Sequence, residues 1–238
     1  RTRRQFLRGT ALATAGLAVG VEAFAAADPP AKALNHNPDM EYRRLGRTGL
    51  MISAVCLGGH WKRIDTVVST AGGIDGPDFR KNRRDVVSRC IERGINYIDA
   101  CTGSEVLVYS RALEGRREQM HLGFSWFEEE MRNENFRRAD KLLATLDKGM
   151  REARLDYVDL WRVTMHEQSG QYAPPEVDEM MKALETAKKQ GKARFTGFSS
   201  HDRPHIKSMI ETYPSVVDVV VTPYTAKSKI LPTDSVFG

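Results

Sequence analysis

Short, nearly continuous apolar runs alternate with amphipathic stretches through most of this 238-residue chain, and that alternation restricts the fold more than any other feature. A run that is apolar at almost every position cannot keep one face in water, so such strands belong in a parallel sheet covered on both sides. The runs lie at Ala54 to Leu57, Ile95 to Asp99, Met120 to Phe124, Tyr157 to Val163, Ala193 to Phe198 and Val216 to Val221. Between them the pattern predicts helices over Arg83 to Arg93, Glu105 to Leu113, Arg138 to Ala153, Pro175 to Gln190 and Pro204 to Tyr213, several of them stopped by glycine (Gly94, Gly115, Gly191). In the third, Ala139, Leu142, Leu143, Leu146, Met150 and Ala153 form one stripe at helical spacing. Ahead of the alternation, Tyr42 to Leu45 and Leu50 to Ser53 flank Gly46-Arg47-Thr48-Gly49 and read as a small hairpin, placed to plug the bottom of a barrel.

Regular strand–helix alternation leaves two architectures, a doubly wound sheet and a closed barrel. No G-x-G-x-x-G follows the first strand, which favours the barrel. Six strands do not close an eight-stranded barrel, and an open parallel sheet leaves two edges unpaired. The expectation is therefore a chain shortened at its C-terminus, since it stops at Thr233-Asp234-Ser235-Val236, where a further helix would start.

The ends of the chain read differently. Thr2-Arg3-Arg4-Gln5-Phe6-Leu7-Arg8 resembles a twin-arginine export signal, followed by a weakly apolar Ala- and Gly-rich stretch from Gly9 to Ala27 that ends in small residues suited to signal peptidase. Glu22 and the interspersed Gly and Thr make this stretch a poor membrane span. The division expected is a signal over 1–27, a proline-bearing linker over 28–40 and the barrel over 41–238, with the twin-arginine translocation machinery as partner and a periplasmic or other extracytoplasmic destination. No stable membrane insertion is expected after cleavage. Arg1, Arg3, Arg4 and Arg8 against Glu22 account for +3 of the formal charge of +5, so the remainder has no basic surface of the kind that nucleic acid selects. Cys56, Cys90 and Cys101 are odd in number and widely spaced, which gives no disulfide framework and no C-x-x-C metal motif.

Several ordered motifs together carry a family resemblance from Tyr42 to about Tyr224. Tyr42-Arg43-Arg44-Leu45-Gly46-Arg47-Thr48-Gly49-Leu50 with Cys56-Leu57-Gly58-Gly59, Gly94-Ile95-Asn96-Tyr97-Ile98-Asp99 with Gly103-Ser104-Glu105, Leu155-Asp156-Tyr157-Val158-Asp159-Leu160, and Gly191-Lys192-Ala193-Arg194-Phe195-Thr196-Gly197-Phe198-Ser199 resemble the aldo/keto reductases. The resemblance implies an α/β fold, a (β/α)8 TIM barrel with about six of its eight strands in this chain. It also implies NADP(H)-dependent carbonyl or alcohol chemistry on a small-molecule substrate, using a Tyr acid, a Lys that lowers its pKa, an Asp that orients the Lys and a His that positions the substrate. The chemistry needs such a set, because hydride delivery leaves an alkoxide and a phenol with pKa of about 10 donates well only beside a buried cation.

Of that set only the Asp is retained, as Asp99. Thr102 stands where the Tyr belongs, Ser125 where the Lys belongs and Thr164 where the His belongs, with His166 two residues further on as a substitute if its loop folds back. Among cofactor contacts implied by the resemblance, Ser199 matches a residue that holds the nicotinamide amide, Ser200 replaces an Asn, and Tyr224 is placed to stack on the nicotinamide ring. Asp99 has a second reading, as a strand-end residue paired with Arg194 inside the barrel. Tyr109 lies in a predicted helix and reads as packing, and Glu128-Glu129-Glu130 as a solvated helix start. An alternative site gathers His60, Asp99, Cys101, His166, Glu167, His201 and His205 near the C-terminal rim, where a repurposed barrel would run metal or acid–base chemistry, or bind without reacting.

Overall fold

The computed structural model describes residues 32–61 and 63–224. The expected export signal, the first part of the expected linker and the segment around Thr233 to Val236 lie outside these described residues.

A two-stranded antiparallel hairpin comes first, β1 (Tyr42–Arg44) against β2 (Met51–Ser53), in register Tyr42 with Ser53 and Arg44 with Met51. Its turn includes Gly49 at φ 72°, a left-handed conformation that glycine adopts without strain. Six strands then form one parallel sheet in strict chain order: β3 (Leu57–Gly58), β4 (Tyr97–Ala100), β5 (His121–Phe124), β6 (Val158–Thr164), β7 (Ala193–Ser199) and β8 (Val219–Val221). Among the described residues five helices accompany them: α1 (Pro77–Glu92), α2 (Gly103–Ala112), α3 (Ala139–Glu152), α4 (Pro174–Lys189) and α5 (Arg203–Thr212). Neighbouring strands consecutive in sequence and parallel throughout are the arrangement of a (β/α) barrel.

Local chemistry sets the boundaries. Thr102 caps α2 by accepting from the Glu105 N–H, and Asp202 caps α5 by accepting from the His205 N–H. Pro77 and Pro174 stand in the first turns of α1 and α4, where the missing N–H costs nothing. All seven residues of β6 are buried, the apolar ones in the core and Asp159 and Arg162 each paired with an opposite charge. The helices and the outward faces of the strands enclose one core in which Phe124, Trp161, Leu142, Leu146 and Phe198 are almost without exposed surface.

Three expectations shift. The first sheet strand sits at Leu57–Gly58 rather than Ala54 to Leu57, because Ser53 and Asn96 exchange hydrogen bonds and hold the preceding segment to the hairpin. The first helix begins at Pro77 rather than Arg83, extended by a proline-started turn with no apolar stripe to announce it. Glu128-Glu129-Glu130 is not a solvated helix start: Phe127–Glu129 is a single 3-10 turn, and Glu130 is wholly buried.

Candidate active site

The C-terminal ends of the sheet strands converge on a cavity of about 1140 Å³. Side chains alternate across a strand, so Arg162 and Thr164 of β6 share one face, as do Tyr97 and Asp99 of β4. Asp99, Arg162, Thr164 and Ser199 all line the cavity.

Its most heavily bonded contact joins β4 to β6 across β5. The Arg162 Nε donates to Asp99 Oδ1 at 2.8 Å and its Nη2 to Asp99 Oδ2 at 2.6 Å, a two-point clamp with the guanidinium 3% exposed. Gly123 of β5 pairs with Asp99 in the register, and a Cβ there would lie 2.9 Å from Asp99 Oδ1 and 2.4 Å from the Tyr97 hydroxyl. Glycine at this position is what lets the two charges meet over the intervening strand. Burial works against the charge on Arg162, but Asp99 outweighs it and holds the guanidinium above the ordinary arginine value. Tyr97 donates to Asp99 Oδ1 at 3.2 Å, and burial, reinforced by the Asp99 charge, pushes its phenol well above its usual pKa.

Arg162 also donates from Nη1 to Thr164 Oγ1 at 3.1 Å and to Ser199 Oγ at 3.3 Å. Beside Thr164 lies Ser125, whose hydroxyl is 2.8 Å from Thr164 Oγ1 and donates to Glu130 Oε2 at 2.6 Å. Glu130 also accepts from the backbone N–H groups of Trp126 at 2.9 Å and Thr164 at 2.7 Å. Burial lifts its carboxyl above the ordinary glutamate range despite these bonds. A second buried carboxylate, Glu105, fastens the opposite wall: it accepts from the N–H groups of His60 and Cys101 and sits 2.8 Å from His60 Nδ1. Burial raises the Glu105 pKa, but the His60 and backbone bonds more than offset that, and its carboxyl is held below the usual value. Gly59 makes room for it, since a Cβ there would fall inside the Glu105 carboxyl.

The expected site residues divide accordingly. Asp99, Ser125 and Thr164 come together around Arg162. Thr102 lines the cavity but spends its hydroxyl on capping α2. His166 is not folded back: its backbone N–H donates to the Tyr172 hydroxyl, its Nδ1 accepts from the Gln168 N–H, and Met165 and Glu167 line the cavity around it instead. Asp99 does not pair with Arg194. Arg194 stands on the other face of β7 and bonds Asp159 at 2.7 Å, in a buried group with Arg117. Tyr109 is packing, as expected, with its hydroxyl donating to the Gly58 carbonyl. On the rim, His60 and His201 reach the cavity, while His205 is half-buried on α5 with its pKa lowered by burial. Among the described residues no three His, Cys, Asp or Glu side chains gather as metal ligands. The Cys101 thiol faces the cavity and is pushed up by burial.

Arg162 and Gly123 are functional residues that the sequence motifs do not mark, and Glu130, expected in a solvated helix start, is a third. Alternation along β6 carried a signal for Arg162, since it shares a face with Leu160 and Thr164, whereas Arg194 falls on the face opposite Ser199.

Of the cofactor contacts that the family resemblance implies, one is placed at the cavity with a hydroxyl to offer. Ser199 offers a cavity-facing hydroxyl. Ser200 lines the wall but is already engaged, 2.6 Å from Ser169 Oγ and accepting from the Asp202 N–H, and Tyr224 is exposed at the last described position.

A parallel sheet of strand–helix units with charged and hydroxyl side chains collected at its C-terminal ends defines an α/β-barrel protein with a functional rim. The comparisons with known proteins narrow this. The aldo/keto reductase family model matches residues 70–234, and the chain belongs to that family of oxidoreductases. Among solved structures it is similar to an aldo-keto reductase of Bacillus halodurans in its holo form (TM-score 0.58, 21% identity, 78% of this chain and 58% of that one). It is also similar to an aldo/keto reductase of Brucella melitensis (TM-score 0.56, 16% identity, 78% of this chain and 63% of that one). The chain thus spans less than two thirds of the length of either.

Proposed function

We propose that this protein is an exported, NADP(H)-dependent oxidoreductase acting on a small carbonyl or alcohol substrate, in which Arg162 takes over the electrostatic role of the family's lysine. The observation that carries the reading is the buried Asp99–Arg162 clamp at the cavity floor. When bound, NADP(H) supplies or accepts a hydride. Ser199 would hold its nicotinamide amide and Tyr224 would cover the ring, while Asp99 fixes Arg162 so that its charge faces the substrate oxygen. A preorganised cation of this kind stabilises a developing alkoxide without having to reorient. The existence of holo and apo forms of the Bacillus halodurans relative supports a cofactor-binding reading.

General acid catalysis typically contributes about 10²- to 10⁴-fold, and no cation-tuned phenol stands at the cavity. Common aldehydes should therefore be reduced slowly, although NADPH binds. The test pairs a fluorescence titration with NADPH against a steady-state NADPH oxidation assay on the full-length protein, for wild type and Arg162→Met. Binding that survives in both, with residual turnover lost in the variant, supports the reading. Absence of NADPH binding in the wild type would instead favour a repurposed rim or a non-catalytic binding protein, and rapid wild-type turnover of ordinary aldehydes would mean that an unassigned acid operates.

A further inference from the structure

Glu130 is a buried carboxyl for which the reading above has no use. It lies at the inner end of a line of hydroxyl groups that runs to the cavity: Glu130 Oε2 is 2.6 Å from Ser125 Oγ, and Ser125 Oγ is 2.8 Å from Thr164 Oγ1. Thr164 lines the cavity, whereas Ser125 and Glu130 have no exposed surface. We infer that Glu130, Ser125 and Thr164 form a proton relay into the cavity, with Thr164 as the catalytic group that protonates the substrate oxygen. The inference rests on the carbonyl-reducing reading of the site.

The hydrogen-bond inventory fits. A hydroxyl donates one hydrogen and accepts up to two. Arg162 Nη1 and Ser125 both direct hydrogens at Thr164 Oγ1 when the relay is charged, so the Thr164 hydrogen points to the cavity side, where the Cys101 Sγ at 3.8 Å is the partner that a ligand oxygen would replace. The neighbouring guanidinium favours the alkoxide-like form of that hydroxyl and so eases the release of its proton. At the inner end, the Trp126 and Thr164 N–H groups hold the carboxyl in place whichever way the Ser125 hydrogen points. Burial raises the Glu130 pKa, so this carboxyl keeps its proton at a pH where an exposed glutamate has lost it.

Carbonyl reduction by hydride leaves an electron pair and a negative charge on the substrate oxygen. The Thr164 O–H bond breaks as its proton forms the new bond to that oxygen. The Ser125 proton moves to Thr164 Oγ1, and the Glu130 proton moves to Ser125 Oγ. Glu130 ends as a carboxylate accepting from Ser125 and is reprotonated from water once product leaves. Alcohol oxidation runs the same transfers in reverse.

The competing explanation is a clamp, in which Glu130 only ties the end of β5 to that of β6. Glu130→Gln separates the two, because the amide oxygen still accepts backbone N–H groups but carries no proton to give. The first readout is infrared difference spectroscopy of the full-length protein between acid and neutral pH. A protonated-carboxyl stretch that titrates above the ordinary glutamate range, and is missing in Glu130→Gln, is expected. Its absence in the wild type overturns the relay. The second readout is NADPH-driven carbonyl reduction across pH. Glu130→Gln and Thr164→Val should each lower kcat by about 10²-fold with KM little changed and a flattened pH profile, and Thr164→Ser should restore most of the rate. An unchanged pH profile in Glu130→Gln overturns the relay in favour of the clamp. A wild type that shows the infrared band and binds NADPH but reduces no carbonyl overturns the carbonyl-reducing reading and Thr164's role with it, while the protonated Glu130 stands.

Discussion

Removing the Arg162 guanidinium should destabilise the fold well beyond the loss of one surface ion pair. In Arg162→Met the Asp99 carboxylate, whose side chain is 22% exposed, would stay at the cavity floor without the two charge-assisted bonds it now accepts. Truncating one partner of a buried pair costs about 3–5 kcal/mol. Because Asp99 keeps some contact with water in the cavity, the lower end applies, about 3 kcal/mol. For a domain of this size that corresponds to a drop of about 6–12 °C in Tm. Asp99→Asn combined with Arg162→Met should recover most of the loss, since the double variant leaves no isolated charge. Arg162→Lys should fall between, because a single ammonium cannot reproduce the two-point contact. Thermal unfolding of the wild type, Asp99→Asn, Arg162→Met, Arg162→Lys and the double variant, followed by circular dichroism, makes the comparison. A Tm change of only about 1 °C in Arg162→Met, corresponding to at most about 0.5 kcal/mol, or a double variant worse than either single one, would refute the argument that the pair is buried and mutually dependent.

Gly123→Ala should cost about 1–3 kcal/mol in urea unfolding, because its methyl meets the Tyr97 hydroxyl and Asp99 Oδ1, and it should weaken NADPH turnover in parallel by disturbing the clamp. Asp159 gives a pH dependence: burial would raise its pKa, but Arg117, then His121 and Arg194, hold it below the ordinary carboxylate range. Its contribution is therefore present above its unfolded pKa of about 3.9 and is lost as pH falls through the folded value, so acid unfolding of Asp159→Asn should have a shallower pH slope than that of the wild type. Replacing Arg3 and Arg4 by Lys should abolish export, measured by cell fractionation, and undiminished delivery would sink the twin-arginine proposal.

The barrel architecture is legible because buried parallel strands are predominantly apolar and each is followed by a polar-faced helix, as β5 and α3 show together. What the sequence hides is which charges meet across a strand. Asp99 and Arg162 are 63 positions apart, and their contact depends on Gly123 between them, a residue whose importance lies in the side chain it lacks. The family pattern also directs attention to the position of the lost lysine, Ser125, and away from the neighbouring strand that supplies a cation to the same carboxylate. Glu130 is hidden for a comparable reason: three consecutive glutamates carry the pattern of an exposed segment. Only the 3-10 turn at Phe127–Glu129 shows that the third of them points inward.

If Arg162 stands in for the family's lysine, as proposed above, what the site is able to do changes with it. A lysine ammonium is a compact charge with hydrogens to spare, and it tunes a nearby phenol by direct contact. Arg162 has donors committed to Asp99, Thr164 and Ser199, so its position and orientation are fixed. The one phenol near it, Tyr97, donates to Asp99, and its pKa is displaced upward, away from the range useful to an acid at neutral pH. The arrangement therefore supplies charge stabilisation without a tuned phenol. On the carbonyl-reducing reading proposed above, the proton for the substrate oxygen would come from the hydroxyl side of Arg162, where Thr164, Ser125 and Glu130 stand in line, and not from the Tyr97 side.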